Sequence, residues 1–310
     1  MSPATGPGGR DWESTFADWT GRASDAEQAR YDWTRNAIND ALSAFPNLVD
    51  HAFKVYPKGS YPNFTNVVRD SDVDVAAELT ELYLNDYVGD AEGLGLEDVG
   101  GSPYQGSYSL RAFKDDVQEA LVAKFGASAV VRGDKAIHVH GGSQGLAADV
   151  VPCVTHRTWW GPSSFQEGIA LRSDKAPLAD IHNYPKQHLA RGGEKNDRTN
   201  RRYKRVVRIL KRLENQMVKD SVLAPVPSFL IESAVWNVPD LDFLNPSTWT
   251  GRVQNTLAHI YNGTRGDDCV RSDDWLEANN IKYLFHPAQG WTHQQANQFA
   301  ALAWDYVGLS

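Results

Sequence analysis

Cysteine is nearly missing from these 310 residues: only Cys153 and Cys269 occur. The first falls in an expected core strand and the second in a polar loop. No disulfide is therefore expected, which suits a reducing, cytoplasmic setting. No Cys/His cluster has zinc-finger spacing, and Cys153-x-x-His156 is half a site at most. No stretch approaches the roughly 18 consecutive apolar residues that cross a bilayer. The opening Met1–Arg10 reads as short and flexible, without the apolar segment of a signal peptide. No membrane partner is expected. There is no internal repeat and no low-complexity tract. Positive charge is also short: net charge is −8 with a pI near 5.6. An acidic chain binds nucleic acid only through a local basic patch, so a nucleic-acid activator is not expected. What the chain does have is 41% hydrophobic residues and ten Trp, enough for a sizeable core in one large or two modest domains.

The most informative stretch is Gly59-Ser60-Tyr61-Pro62-Asn63-Phe64-Thr65, followed by Asp70-Ser71-Asp72-Val73-Asp74-Val75. In a strand, side chains at i and i+2 share a face. Asp72 and Asp74 would project together, with Val73 and Val75 buried behind them. The strict alternation of Asp72-Val73-Asp74-Val75 sets this register. Asp70, separated from Asp72 by the polar Ser71, is read as a solvated loop acid. Two carboxylates that close repel unless a cation sits between them or one stays protonated. A hard divalent ion resolves the repulsion. Upstream, Gly59 and Ser60 offer backbone N–H groups and a hydroxyl to a phosphate.

This pattern of Gly-Ser, a gap of about ten residues and then two alternating aspartates resembles the DNA polymerase β-type nucleotidyltransferases. Tyr61 and Thr65 bring it closer to the bacterial cGAS/DncV-like nucleotidyltransferases (CD-NTases), relatives of cyclic GMP-AMP synthase and oligoadenylate synthase. Many members carry Gly before the threonine; here it is Phe64. The resemblance implies a third acid on another strand, and Asp149, in Leu146-Ala147-Ala148-Asp149-Val150-Val151-Pro152-Cys153-Val154, is the candidate. Buried among apolar residues, it would cost several kcal/mol unless compensated; backbone N–H groups are the bland way to satisfy it. The resemblance implies two Mg²⁺ ions, with Mn²⁺ as substitute. Asp72 and Asp74 would touch both, and Asp149 mostly the nucleophile-side ion. It implies nucleoside triphosphates as substrates, pyrophosphate as leaving group and a short cyclic or linear oligonucleotide second messenger as product. The setting implied is a bacterial anti-phage system whose product activates a separate effector. The same acids would serve a transferase acting on RNA or protein, and an idle site would make a nucleotide sensor.

The one basic patch lies between Lys186 and Arg212, where eleven Lys/Arg face two acids, Glu194 and Asp197. Within it, Asn200 to Met217 carries Val206, Val207, Leu210, Leu213 and Met217 at helical spacing, a core-facing stripe. Arg201, Lys204 and Arg208 fall on the opposite side. Lys211 lies about 40° from Val207 at the stripe's border, where a lysine can snorkel into a cleft. Val206-Val207-Arg208-Ile209-Leu210-Lys211 resembles the family helix whose lysine holds the donor triphosphate. Pro227-Ser228-Phe229-Leu230-Ile231-Glu232 resembles the next helix, with Ser228 at an N-cap beside free N–H groups. Lys211 and Ser228 are thereby assigned to triphosphate binding, with Lys204 in reserve.

The fold class expected is mixed α/β: a polymerase β-like lobe (residues 1–175) and a helical lobe (176–310) with the active site in the cleft between them. Residues 24–45 read as a helix capped by Ser24, and 109–125 as another. Strands are expected at 53–57, 66–79, 129–140 and 146–154, the last two as one hairpin around Gly141–Gly145. Trp159-Trp160-Gly161-Pro162 reads as the turn out of the first lobe, with helices beyond at 200–218, 227–237, 248–261, 271–279 and 291–306. Residues 262–270 read as a polar loop. His138 and His140, two apart, read as strand residues beside a polar cleft. The run His182-Asn183-Tyr184-Pro185-Lys186-Gln187-His188 resembles a family loop and is assigned no catalysis; Tyr184 reads as a core, surface or base-stacking residue.

Overall fold

Two long strands form the backbone of the sheet: β2 (Val73–Tyr87) and β5 (Ala148–Gly161), parallel to each other. Their continuously buried stretches, residues 75–79 and 150–156, are covered on both faces, as a central parallel pair requires. In this computed structural model, which describes residues 9–67, 72–175, 180–266 and 272–309, five more strands complete the described sheet. They are β1 (Phe53–Pro57), β3 (Val130–Arg132), β4 (Ile137–Val139), β6 (Ser164–Arg172) and β7 (Asp180–Asn183), in the order β1-β2-β5-β4-β3 with β6 on β5 and β7 on β6. One edge of β5 pairs with β2, and the other is shared: Ala148–Val150 pair with β4, Val154–Gly161 with β6. Register shifts between Leu79 and Tyr83 of β2, a bulge that strengthens local twist.

The chain groups into two compact units, and the division is not a single cut near 175. One has the bounds Ser24–Pro62 and Arg69–Lys186; the other Met1–Ala23, Asn63–Val68 and Gln187–Ser310. The first holds the sheet with helices α2 (Asp25–Ser43) and α3 (Leu110–Phe125). Ser24 and Ser109 cap them by accepting from Glu27 N and Ala112 N. Ile38, Leu42, Phe113, Val117 and Leu121 meet Val73, Val75, Val150 and Val154 in its core. The second unit contains α1 (Trp12–Trp19), α5 (Tyr203–Lys219), α6 (Ser228–Trp236), α7 (Asp240–Leu244), α8 (Trp249–Thr264) and α9 (His293–Val307), and nearly all of α4 (Pro185–Arg198). Trp12, Phe16, Leu210, Leu213, Ile231, Leu257 and Phe299 belong to its core.

Several expectations need correction. The strand expected at 66–79 begins at Val73 and runs to Tyr87. Residues 129–140 are themselves a hairpin, β3–β4, because Gly133-Asp134-Lys135 supplies a turn between two short strands. Trp159-Trp160-Gly161-Pro162 is no exit: it closes β5 and turns into β6, which pairs back antiparallel. The segment 272–279 contains no helix; turns and one bridge, Leu276 with Tyr283, occupy it. Residues 262–264 belong to α8. Asp70, Cys269 and the remainder of the 262–270 loop from 267 on lie outside the described residues.

Candidate active site

Val73 and Val75 are fully buried, so Asp74 between them must point away from the core. On β5, Asp149 stands between the buried Ala148 and Val150 in the same way. Asp74 pairs with Asp149 across the parallel ladder, and Asp149 pairs with His138 of β4 across the antiparallel one. Directly opposed residues project from one face, so His138, Asp149 and Asp74 form a row over three strands. Asp72 stands just before β2 and reaches the same place. Its Oδ2 is 3.9 Å from His138 Nδ1, which is 3.0 Å from Asp149 Oδ1. One ligand atom each from Asp72, His138 and Asp149 falls within 4.8 Å of the others.

Asp74 is held from its other side by the Gly59 turn. The Lys58 backbone N–H donates to Asp74 O at 2.9 Å, and Lys58 Nζ lies 3.5 Å from Asp74 Oδ1. Gly59 has φ +74°, and a Cβ built there would stand 2.2 Å from Asp74 Oδ2. Glycine is required twice over, by its left-handed backbone and by the carboxylate's closeness. Ser60 follows within the turn, and residues 59–64 stay in turn conformation. Phe64 also has positive φ, +55°, which explains glycine as an alternative there. Its ring lies under the Arg22 guanidinium, 4.5 Å away, and its carbonyl accepts from Arg208.

Three carboxylates with Lys58 as the nearby cation make a strongly negative site. Asp149 is less buried than its apolar neighbours imply, with 38% of its side chain exposed. Oxygen donors of this kind suit Mg²⁺, and the imidazole beside them admits Mn²⁺. The residues thus fit a divalent metal. Two members of the site were not foreseen. His138 was read without its partner, although the alternation of Ile137-His138-Val139-His140 and a hairpin register would have set it opposite Asp149. Lys58 had one signal, its place next to Gly59.

In the helical unit the basic residues behave differently from a solvated helix face. Lys204 and Arg208 are buried along with the apolar stripe. Arg208 donates to Thr20 O and Phe64 O, and burial together with Arg22, Arg212 and Arg205 pushes its pKa down to about 10. Lys204 lines a basic cavity of about 400 Å³ with Arg22, Arg201, Arg205 and Arg208, and burial lowers its pKa. Lys211 is buried and bonded to Glu232 Oε2 at 2.6 Å. Glu232 also accepts from Thr65 Oγ1 at 2.8 Å and pairs with His188 Nε2 at 2.9 Å. Burial alone would raise the Glu232 carboxyl, but Lys211 and His188 outweigh it and hold it well below the ordinary carboxylate range. Ser228 is the first residue of α6, not its cap; Pro227 precedes the helix and offers no side-chain bond.

Fold and site together define a metal-dependent nucleotidyltransferase. Residues 190–308 match the family model of the cGAS/DncV-like nucleotidyltransferase C-terminal helical domain. Similarity runs through nearly the whole chain. A cyclic dipyrimidine nucleotide synthase CdnE of Legionella pneumophila is 36% identical over 96% of this chain and 98% of its own. One of the same name from Cecembia lonarensis is 35% identical over 95% and 98%. The solved Rhodothermus marinus CdnE c-UMP-AMP synthase with Apcpp and Upnpp superposes with a TM-score of 0.79, at 28% identity over 94% of this chain and 95% of that one. The chain belongs to the cGAS/DncV-like nucleotidyltransferases. Among the described residues, no helix is long and apolar enough to cross a membrane.

Proposed function

We propose that this enzyme joins two nucleoside triphosphates into a cyclic dinucleotide containing at least one pyrimidine, at the site built on Asp72, Asp74 and Asp149. The observation that carries the site is the cross-strand row of Asp74, Asp149 and His138, which Asp72 joins. The pyrimidine rests on the names of the relatives, two of them dipyrimidine synthases and one a UMP-AMP synthase.

In each half of the reaction, the ribose 3′- or 2′-hydroxyl of one nucleotide loses its proton and bonds to the α-phosphorus of the other. The bond from that phosphorus to the β-phosphate oxygen breaks, and pyrophosphate leaves. A second transfer closes the ring, so two triphosphates give one cyclic product and two pyrophosphates. Asp72, Asp74 and Asp149 would hold two Mg²⁺ ions, or Mn²⁺ in their place, which when bound would lower the hydroxyl's pKa and neutralise the leaving group. Asp74 is kept in place by the Gly59 turn, and His138 fixes the orientation of Asp149. The N–H groups and hydroxyl of the Gly59-Ser60 turn take phosphate oxygens. Lys211 and Ser228 take the donor triphosphate. An ammonium has three donors; the bond to Glu232 sets where Lys211 points, and the others serve the phosphates. Lys204 is the alternative cation. The product is a second messenger for a separate effector, in the bacterial cytoplasm and in anti-phage defence.

The test incubates purified protein with four labelled triphosphates and Mg²⁺ or Mn²⁺, treats the products with phosphatase and separates them. A phosphatase-resistant product that disappears when UTP and CTP are withheld supports the proposal. A resistant product made from ATP and GTP alone removes the pyrimidine. Label that ends on added RNA or protein, or no turnover at all, removes the cyclic synthase.

A further inference from the structure

At the other end of the β2–β5 ladder, three side chains converge that the nucleotidyl transfer does not use. His156 of β5 is fully buried, and its Nε2 lies 3.0 Å from Asp86 Oδ2 of β2. His182 of β7 places Nδ1 3.3 Å from the same oxygen. The two imidazoles stack at 3.7 Å, with 18° between their planes. The sheet explains the meeting. Leu84 pairs with His156 and Asp86 with Thr158, so Asp86 and His156 share a face. His156 pairs with Gly168 of β6, which carries no side chain, and His182 pairs with Ala170 two residues on. The ring from β7 therefore reaches across β6 to the ring from β5.

We propose that Asp86, His156 and His182 form a second metal site, for a borderline divalent ion such as Zn²⁺, distinct from the acidic one. The three donor atoms lie within 4.8 Å of one another. With two separations of 3.0 and 3.3 Å, a point about 2.0–2.4 Å from all three exists, an interval whose short end meets the roughly 2.0–2.2 Å of Zn–N and Zn–O bonds. Two imidazoles and one carboxylate are a donor set for Zn²⁺ and its transition-metal neighbours rather than for Mg²⁺. Asp86 keeps about half of its side chain exposed, which gives an ion its way in and leaves solvent to complete the coordination. Asp149 and His156 stand seven residues apart on β5, roughly 23 Å, and on opposite faces, so the two sites do not share an ion. An ion here ties β7 to β2 and β5.

The test titrates the metal-stripped full chain with Zn²⁺ against a chromophoric chelator, with Mg²⁺ in large excess to occupy the acidic site. One tight equivalent is expected. It persists in His138→Ala, which takes the imidazole from the acidic site, and is lost in His182→Ala. Asp86→Asn, at an exposed position, weakens binding at least 10-fold and decides the matter if His182→Ala does not fold. No tight equivalent in the wild-type chain, or one that survives both His182→Ala and Asp86→Asn, overturns the proposal.

Discussion

Replacing Glu232 by Gln leaves the shape of the side chain and takes away its charge. The wild-type carboxylate is 3% exposed and bonded to Lys211, His188 and Thr65 at 2.6, 2.9 and 2.8 Å. After the change, the Lys211 ammonium, on a side chain only 4% exposed, is left without its counter-charge. Hydrogen bonds to a charged group contribute about 1.5–3 kcal/mol each, but the three share one carboxylate and do not add. The loss of one partner from a buried ion pair costs about 3–5 kcal/mol, a shift of about 10² or more in the unfolding equilibrium. Urea unfolding at neutral pH, followed by tryptophan fluorescence, measures it as a lower midpoint. Removing both charges with Lys211→Met and Glu232→Gln should recover part of the loss, since the ammonium that lost its counter-charge is gone and the amide oxygen can still accept from Thr65 or His188. The pH dependence has a fixed sign. The folded carboxyl sits below its ordinary 4.5, so its contribution is complete above that value and is lost only as pH falls through the lower folded value. The gap between wild type and Glu232→Gln should be flat near neutrality and narrow only below about pH 4.5. A destabilisation under about 1 kcal/mol, or a double variant as unstable as the single one, would refute the reasoning.

Two further substitutions test the acidic site. Gly59→Ala meets a left-handed backbone, at about 1–2 kcal/mol, and its Cβ must push Asp74 aside; synthesis should fall at least about 100-fold, or ~2.7 kcal/mol, while the melting temperature drops only a few degrees. His138→Ala frees Asp149 from its 3.0 Å partner; the Mg²⁺ concentration for half-maximal rate should rise about 10- to 100-fold, as when a group orienting a metal ligand is removed.

Much of the site could be read because its rules are local. Val73 and Val75 fix the register of Asp74 by alternation, and the pairing of Asp74 with Asp149 follows once both lie on parallel neighbours. His138 needed a long-range register that no alternation within β4 supplies. The helical stripe of α5 was legible in Val206, Leu210 and Met217, but the burial of Lys204 and Arg208 was not. Helical periodicity places charged residues outward, whereas here carbonyls of Thr20 and Phe64 receive Arg208 far along the chain. Strands β6 and β7 were missed for a related reason. Trp159-Trp160-Gly161-Pro162 carries the marks of a boundary, and a hairpin turn carries the same marks. Helix α4 begins at Pro185, a favoured first position, in a run read as loop because of its Pro and His residues.

The central claim is that the acids brought together by β2 and β5 perform the transfer. Its most direct test is a single assay on wild type and Asp149→Asn, with Asp72→Asn beside them: pyrophosphate release and phosphatase-resistant product from the four triphosphates with Mg²⁺, at matched far-ultraviolet circular dichroism. The wild type should give product, with a loss of about 10³-fold or more in each variant, equivalent to ~4 kcal/mol of transition-state stabilisation. Undiminished synthesis by folded Asp149→Asn or Asp72→Asn would contradict it.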